Sequence, residues 1–226
     1  MFVKDIMTTQ LLTVSGETPV LEATQIMRNN RVRRLPVVKG EKLVGIITEG
    51  DLLRVSPSAA TSLSVFEVNY LLSELLVEEV MTKKVITTSP EATLEEAALL
   101  MRENEVGALP VVEEEKLVGI ITESNIFDAF IEMMGLKKTS ARVTIEAEDR
   151  MGVLAEITEI IKAHQVNIIS LAAFPRPGGR CEFVLRLDTK DYKSLLAEIE
   201  GSGYQVTHLT SRSEERRVGK ECRSRW

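Results

Sequence analysis

The chain has 226 residues, of which 44% are hydrophobic and 27% charged, the composition of an ordinary folded protein with one large domain or two to three small ones. Its 34 acidic residues outweigh 28 basic ones for a net charge of −6, which argues against a general binder of nucleic acid or anionic membrane. No apolar run approaches the roughly 18 residues needed to cross a bilayer. The opening MFVKDIMTTQ lacks the charged-then-apolar pattern of a secretory signal, and two cysteines build no disulfide framework. The expectation is a cytoplasmic protein with neither nucleic acid nor membrane as partner.

An internal repeat organises the chain. A shift of 74 lays residues 5–53 on 79–127 without a gap, with 24 of 49 positions identical. The densest matches are LPVV at 35–38 and 109–112, and EKLVGIITE at 41–49 and 115–123. Two copies make a duplicated small domain.

In copy one, Thr18 followed by Pro19 predicts an N-cap with proline at the first helical position. Val20, Ala23 and Met27 then recur on one helical stripe. Two apolar runs, 35–38 and 43–47, joined by Lys39-Gly40-Glu41-Lys42, predict a hairpin, and a second helix is expected after Thr48. The stretch that follows is rich in Ser, Ala and Pro and reads as loop. Ser64 and Glu67 then form a capping box that opens a linker helix carrying Phe66, Tyr70, Leu71 and Leu75. Copy two repeats the grammar, with a Thr93–Glu96 capping box, the stripe Leu94, Ala97, Met101, and a helix after Thr122.

A third unit starts near Ser140. Residues 141–147 alternate as a strand, Leu154, Ile157 and Ile161 mark a helix, and 166–174 is a strand. A turn at Pro175–Gly179 leads to a strand with Cys181, Phe183, Leu185 and Leu187 on one face. A helix with Tyr192, Leu195 and Ile199 and a strand at 204–210 complete a βαββαβ order, which is ferredoxin-like. The fold class is α/β (α+β). The predicted domains are 1–60, a linker helix at 61–78, then 79–137 and 140–211.

Residues 212–226 resemble the in-frame translation of a sequencing adapter and read as a non-native tail, the other reading being a solvated basic tail. Without its six basic and three acidic residues, 211 residues remain, with 22 basic against 31 acidic and a net charge of −9. Cys222 and the sole Trp, Trp226, belong to the tail.

The duplicated unit resembles a pair of CBS domains, the regulatory Bateman module. The residues that carry the likeness are Gly45-Ile46-Ile47-Thr48-Glu49-Gly50-Asp51 and Gly119-Ile120-Ile121-Thr122-Glu123-Ser124-Asn125, with the LPVV strings and the DIMT and EVMT openings. The third unit is similar to an ACT domain through Asp149-Arg150-Met151-Gly152-Val153-Leu154 and Val166-Asn167-Ile168. The domain order and the linker resemble the acetoin-utilisation (AcuB) family. These likenesses imply an adenine nucleotide as regulatory ligand. The sequence has no metal-ligand spacing, nucleophile elbow, P-loop or G-x-G-x-x-G opening a helix, so no metal, no bound cofactor and no catalysis are expected. The likenesses imply a ribose-binding role for Asp51 with Thr48 toward the sugar-phosphate, and the expected nucleotide site comprises Val14, Arg33, Arg34, Pro36, Thr48, Asp51, Thr122 and Asn125, with Arg33 and Arg34 assigned to phosphate because the arginine cluster is confined to copy one. They also imply an amino-acid effector site at Met151, Gly152, Val153, Leu154, Asn167 and Ile168 on a subunit interface.

The residues themselves admit two readings. An Asp carboxylate suits the paired hydroxyls of a ribose, and Thr48 lies one turn from Asp51 at a helix N-terminus that favours an anion. Yet T-x-x-D is also a capping box, closing backbone N–H groups alone. Copy two has Asn125 in place of the acid. Arg28, Arg31, Arg33 and Arg34 of copy one align with Arg102, Glu105, Gly107 and Ala108. Arginine forks match phosphate oxygens, although a solvated helix end also attracts cations. The expectation is that copy one contributes most to an anionic nucleotide site. The third unit either binds an effector or only dimerises the chain. His164 and His208 stand alone as packing or surface residues, and Met7, Met27, Met81, Met101, Met133 and Met134 read as core filler. The whole reads as a homodimeric regulatory sensor with a metabolic-enzyme partner. A constitutive scaffold and an acetoin-pathway catalyst are the rivals.

Overall fold

The computed structural model describes residues 1–55, 70, 73–137, 140–189 and 191–211. Two compact units divide the chain between Phe127 and Asp128. The linker helix predicted from Ser64 and the adapter-like tail lie mostly or wholly outside the described residues.

The first unit holds α1 (Val3–Ile6), α2 (Val20–Asn30), β1 (Arg34–Lys39), β2 (Lys42–Thr48) and α3 (Glu49–Val55). It continues with α4 (Val77–Val80), α5 (Leu94–Glu103), β3 (Ala108–Glu113), β4 (Lys116–Thr122) and the start of α6 (Glu123–Met133). The predicted stripes are the buried ones: Val20, Ala23 and Met27 on α2, and Leu94, Ala97 and Met101 on α5. Leu35 and Ile47 are fully buried in copy one, and each such side chain contributes about 1.5–3 kcal/mol by leaving water. The Thr93–Glu96 box forms as expected, with Glu96 N–H donating to Thr93 Oγ1 at 3.2 Å and Thr93 N–H to Glu96 Oε2 at 2.8 Å.

The start of α2 differs from the expectation. Pro19 is the N-cap itself, and Thr18 turns back to accept the Ser15 N–H at 3.2 Å. The first helical N–H, from Val20, is satisfied by the Leu75 carbonyl at 2.8 Å, so a distant strand-like segment replaces the local cap. Leu76, placed in the predicted linker helix, is extended and bridges Pro19.

Strands run in the order β1-β2-β4-β3, so the two hairpins meet edge to edge. At that seam Lys42 pairs with Glu115 at 3.2 Å and Lys116 with Glu41 at 2.7 Å. Because 41 and 42 are the repeat equivalents of 115 and 116, these reciprocal pairs mark an approximate two-fold axis. The entry segments cross that axis. Val3 N–H donates to the Ala92 carbonyl, and Thr8 exchanges bonds with Ile120, so residues 3–8 lie on copy two. Thr82 likewise exchanges bonds with Ile46, and Val77 is buried in the core of copy one. Each DIMT-like opening therefore completes the other copy.

The second unit contains β5 (Ala141–Glu148), α7 (Val153–Ala163), β6 (Ile168–Arg176), β7 (Arg180–Leu187), α8 (Lys193–Gly201) and β8 (Gln205–Ser211). The antiparallel order β6-β7-β5-β8 is the ferredoxin-like arrangement. One face buries Val143, Ile145, Cys181, Phe183, Leu185 and Leu187 under Ile157 and Ile161 of α7 and Leu195 and Ile199 of α8. Met133 is half exposed, contrary to its reading as core filler, whereas Met27 and Met101 are buried.

Candidate functional site

Both T-x-x-(D/N) motifs sit where a central strand turns into a helix, β2 into α3 and β4 into α6. In copy one Asp51 Oδ2 accepts the Thr48 N–H at 2.9 Å and its hydroxyl at 2.7 Å, while Asp51 N–H donates to Thr48 Oγ1 at 3.3 Å. Copy two reproduces these distances with Asn125 Oδ1 and Thr122. The same capping geometry is thus formed in both copies, with the charge of Asp51 and without it. What differs is the second atom of each head group. Asp51 Oδ1 faces the exposed Arg54 at 3.4 Å and keeps acceptor capacity, whereas the Asn125 amide nitrogen is a donor. Asp51 is 6% exposed and lines an open cavity, so a ribose hydroxyl has a carboxylate within reach.

Two clefts, related by the two-fold axis, flank the seam. A cavity of about 390 Å³ is lined by Thr48, Asp51 and Arg54 of copy one together with Thr82, Lys84 and Glu105. Its counterpart of about 250 Å³ is lined by Thr122 and Glu123 together with Thr8, Arg33, Arg34 and Pro36. Each cleft takes its strand–helix motif from one copy and its opposite wall from the other. Arg33 and Pro36 consequently face Thr122, not Asp51. The single constellation expected from copy one is shared between two clefts. Arg34, with Gly107, lines both.

The Arg34 guanidinium is half-buried, and burial first, then the like charge of Arg33, pull it below its ordinary pKa while Glu123 opposes. An arginine stays protonated through any such shift. Val14 is not at either cleft wall. It is 5% exposed in the core of copy one, and both its backbone groups are engaged, its N–H by the Pro36 carbonyl and its C=O by the Val38 N–H. Sequence reasoning missed Thr8, Thr82, Lys84 and Glu105. The recurring Met-Thr openings were the only signal, and they do not say which copy they pack upon.

In the second unit the β5–α7 turn carries Met151, which is 99% exposed, and Gly152 at φ +88°, a left-handed conformation that favours glycine. Val153 is buried and Leu154 packs against the core. The turn is clamped by Arg150, whose guanidinium donates to both Glu156 oxygens at 2.6 and 2.7 Å, and Tyr204 donates to the same carboxylate. The Arg150 and Tyr204 bonds hold the Glu156 carboxyl down at about 2. Asn167, whose carbonyl accepts the Asp188 N–H, and Ile168 follow α7. The 11 residues of that helix separate them from Met151 and Gly152 by about 16 Å, so one subunit does not bring the two segments together.

Among the described residues no group of three His, Cys, Asp or Glu is placed to hold a metal ion, and no helix is long and apolar enough to cross a membrane. His164 meets Glu198 at 2.8 Å, and His208 meets Thr210 at 2.9 Å, on the surface of the second unit.

The CBS domain family model matches residues 3–58 and 77–132, and the ACT domain model matches 141–203. An inosine-5'-monophosphate dehydrogenase of Korarchaeum cryptofilum is 33% identical over 172 residues, which cover 71% of this chain but 33% of the enzyme, so the chain spans about a third of that relative. The CBS domain-containing protein YhcV of Bacillus subtilis is 33% identical over 120 residues, covering 53% of this chain and 78% of YhcV. The crystal structure of a Vibrio cholerae protein assigned to acetoin utilization (AcuB) superposes with a TM-score of 0.51 at 32% identity, covering 61% of this chain and 95% of that one. Two crossed repeats with a capping motif at each strand–helix junction, followed by a ferredoxin-like unit, make this chain a member of the CBS-domain family, a CBS pair followed by an ACT domain.

Proposed function

We propose that the protein is a non-catalytic regulatory sensor that binds an adenine nucleotide in the clefts of the CBS pair. The observation that carries this reading is the cleft that holds the buried, acceptor-competent Asp51 together with Arg34, Arg54 and Lys84, head groups suited to ribose and phosphate. Thr48 and Thr122 place a helix N-terminus beside each cleft, which favours an anion further. Membership of the CBS family supports the same ligand class.

The ACT unit takes an amino-acid effector at an interface between two copies. The separation of Met151–Leu154 from Asn167–Ile168 within one subunit supports this, since only a second copy completes a pocket from both segments. A homodimer is therefore the assembly proposed. Similarity to the Vibrio protein directs the reading toward acetoin utilization, and a metabolic enzyme as the regulated partner in a cytoplasmic setting completes the proposal.

Calorimetric titration with AMP, ADP, ATP and S-adenosylmethionine tests the nucleotide reading, and binding of at least one is expected. A pull-down from lysate with and without AMP or ATP tests the regulatory one. Partner capture that ignores nucleotide, with no binding in the titration, overturns the sensor in favour of a constitutive scaffold.

A further inference from the structure

The two clefts are not independent in charge. Arg34 lines both of them, and its guanidinium nitrogens lie 3.2 and 3.3 Å from the point where a Cβ on Gly107 would stand. The missing side chain at 107 is what seats the guanidinium between the clefts. Copy two offers no second cation to match it, because Ala108 occupies the equivalent position. Glu123 Oε2 lies 3.0 Å from the same point at Gly107 and is the carboxylate that acts on Arg34, so an incoming phosphate competes with one protein carboxylate for the guanidinium.

The charged linings then set an order. The cleft at Thr122 has Arg31, Arg33 and Arg34 against Glu123, a balance of +2. The cleft at Asp51 has Arg34, Arg54 and Lys84 against Asp51 and Glu105, a balance of +1 that falls to zero once Arg34 is drawn away. A phosphate that recruits Arg34 into the first cleft leaves the second neutral. One guanidinium carries a single positive charge, so a phosphate that takes its bidentate edge leaves less attraction for a second phosphate in the other cleft.

Resting on the nucleotide reading above, we infer that Arg34 is a single cation shared by the two clefts, so that a phosphate-bearing ligand in one weakens the binding of a second phosphate-bearing ligand in the other. Coupling of this kind is reciprocal, whichever cleft fills first. An uncharged nucleoside makes no call on the guanidinium and binds the two clefts without mutual effect.

The test isolates each cleft in the full chain. Thr8→Trp fills the exposed rim of the Thr122 cleft and leaves the Asp51 cleft open; Thr82→Trp does the converse. Calorimetry with AMP is expected to show a second-step affinity in the unsubstituted protein at least tenfold weaker than the affinity of the Asp51 cleft in Thr8→Trp. With adenosine that difference disappears, a comparison that requires no change at Arg34. Arg34→Gln is expected to abolish it for AMP while the melting temperature stays near that of the parent. Equal constants in the parent and in the single-cleft variants overturn the inference, as does coupling that survives Arg34→Gln or that is as strong for adenosine. Failure of the parent to bind either AMP or adenosine overturns the nucleotide reading and this inference with it, whereas binding without coupling overturns this inference alone.

Discussion

Met7 rests its sulfur on Gly119 of the opposite repeat, at a point 2.5 Å from where a Cβ would stand, and not on Gly45 of its own. Met81 makes the equivalent contact with Gly45. Both glycines lie within central strands, where any residue fits the backbone, so the requirement is space for the partner methionine.

The substitution Gly119→Ala is accordingly expected to cost about 1–3 kcal/mol through overpacking. Met7→Ala in that background recovers part of the loss, and Met81→Ala does not. A double-mutant cycle in urea measures this. Coupling of Gly119 to Met81, with none to Met7, overturns the crossed docking of the entry segments.

Asp51 separates capping from recognition, because Asn125 performs the same cap at the same distances. Asp51→Asn is expected to leave stability within about 0.5 kcal/mol of the parent, as for substitutions that disturb no such feature. Asp51→Ala costs about 1 kcal/mol, the usual price of a lost cap. AMP affinity falls about tenfold or more in both, since a hydrogen bond to a charged group contributes about 1.5–3 kcal/mol. Denaturation and calorimetry on the same two variants decide whether the carboxylate does more than cap.

Glu156 gives the ACT unit an acid limit. Its carboxyl is held down from 4.5 to about 2 by Arg150 and Tyr204, so the folded state binds this proton less readily than the unfolded chain. The resulting stabilisation is fully present above about pH 4.5 and is lost as pH falls through about 2. Melting temperature measured across this range should decline less steeply in Glu156→Gln than in the parent. Parallel declines sink the assignment.

Amino-acid binding at the ACT interface has a thermal signature. A ligand at about 100 times its dissociation constant stabilises the binding fold by about 2.7 kcal/mol. Screening the twenty amino acids by thermal shift is expected to show at least one that raises the transition. Met151→Asp, at a fully exposed position, tests whether the β5–α7 turn takes part, since it leaves the fold intact and removes the shift only if the turn meets the ligand. No movement with any amino acid reduces the unit to a dimerising module.

Much of the fold was legible in the chain because its signals are local. The stripes Val20-Ala23-Met27 and Leu94-Ala97-Met101, the Thr93–Glu96 box and the alternation of Cys181, Phe183, Leu185 and Leu187 each depend on neighbours a few residues away. The candidate head groups were legible for the same reason, since Thr48 and Asp51, like Thr122 and Asn125, meet within one helical turn. The start of α2 was not, because the acceptor of the Val20 N–H, the Leu75 carbonyl, lies 55 residues downstream of Val20.

By itself the sequence determined the repeat, the two strand–helix motifs and the excess of arginine in copy one. Only the tertiary structure decided which wall faces which motif. Two nearly identical copies offer Met7 the same glycine and the same strand twice, so local chemistry does not choose between Gly45 and Gly119. The choice is made where β2 meets β4 edge to edge, because that seam carries residues 3–8 onto copy two and residues 77–82 onto copy one. The same crossing sets Arg33 opposite Thr122 and leaves Arg34 between the clefts.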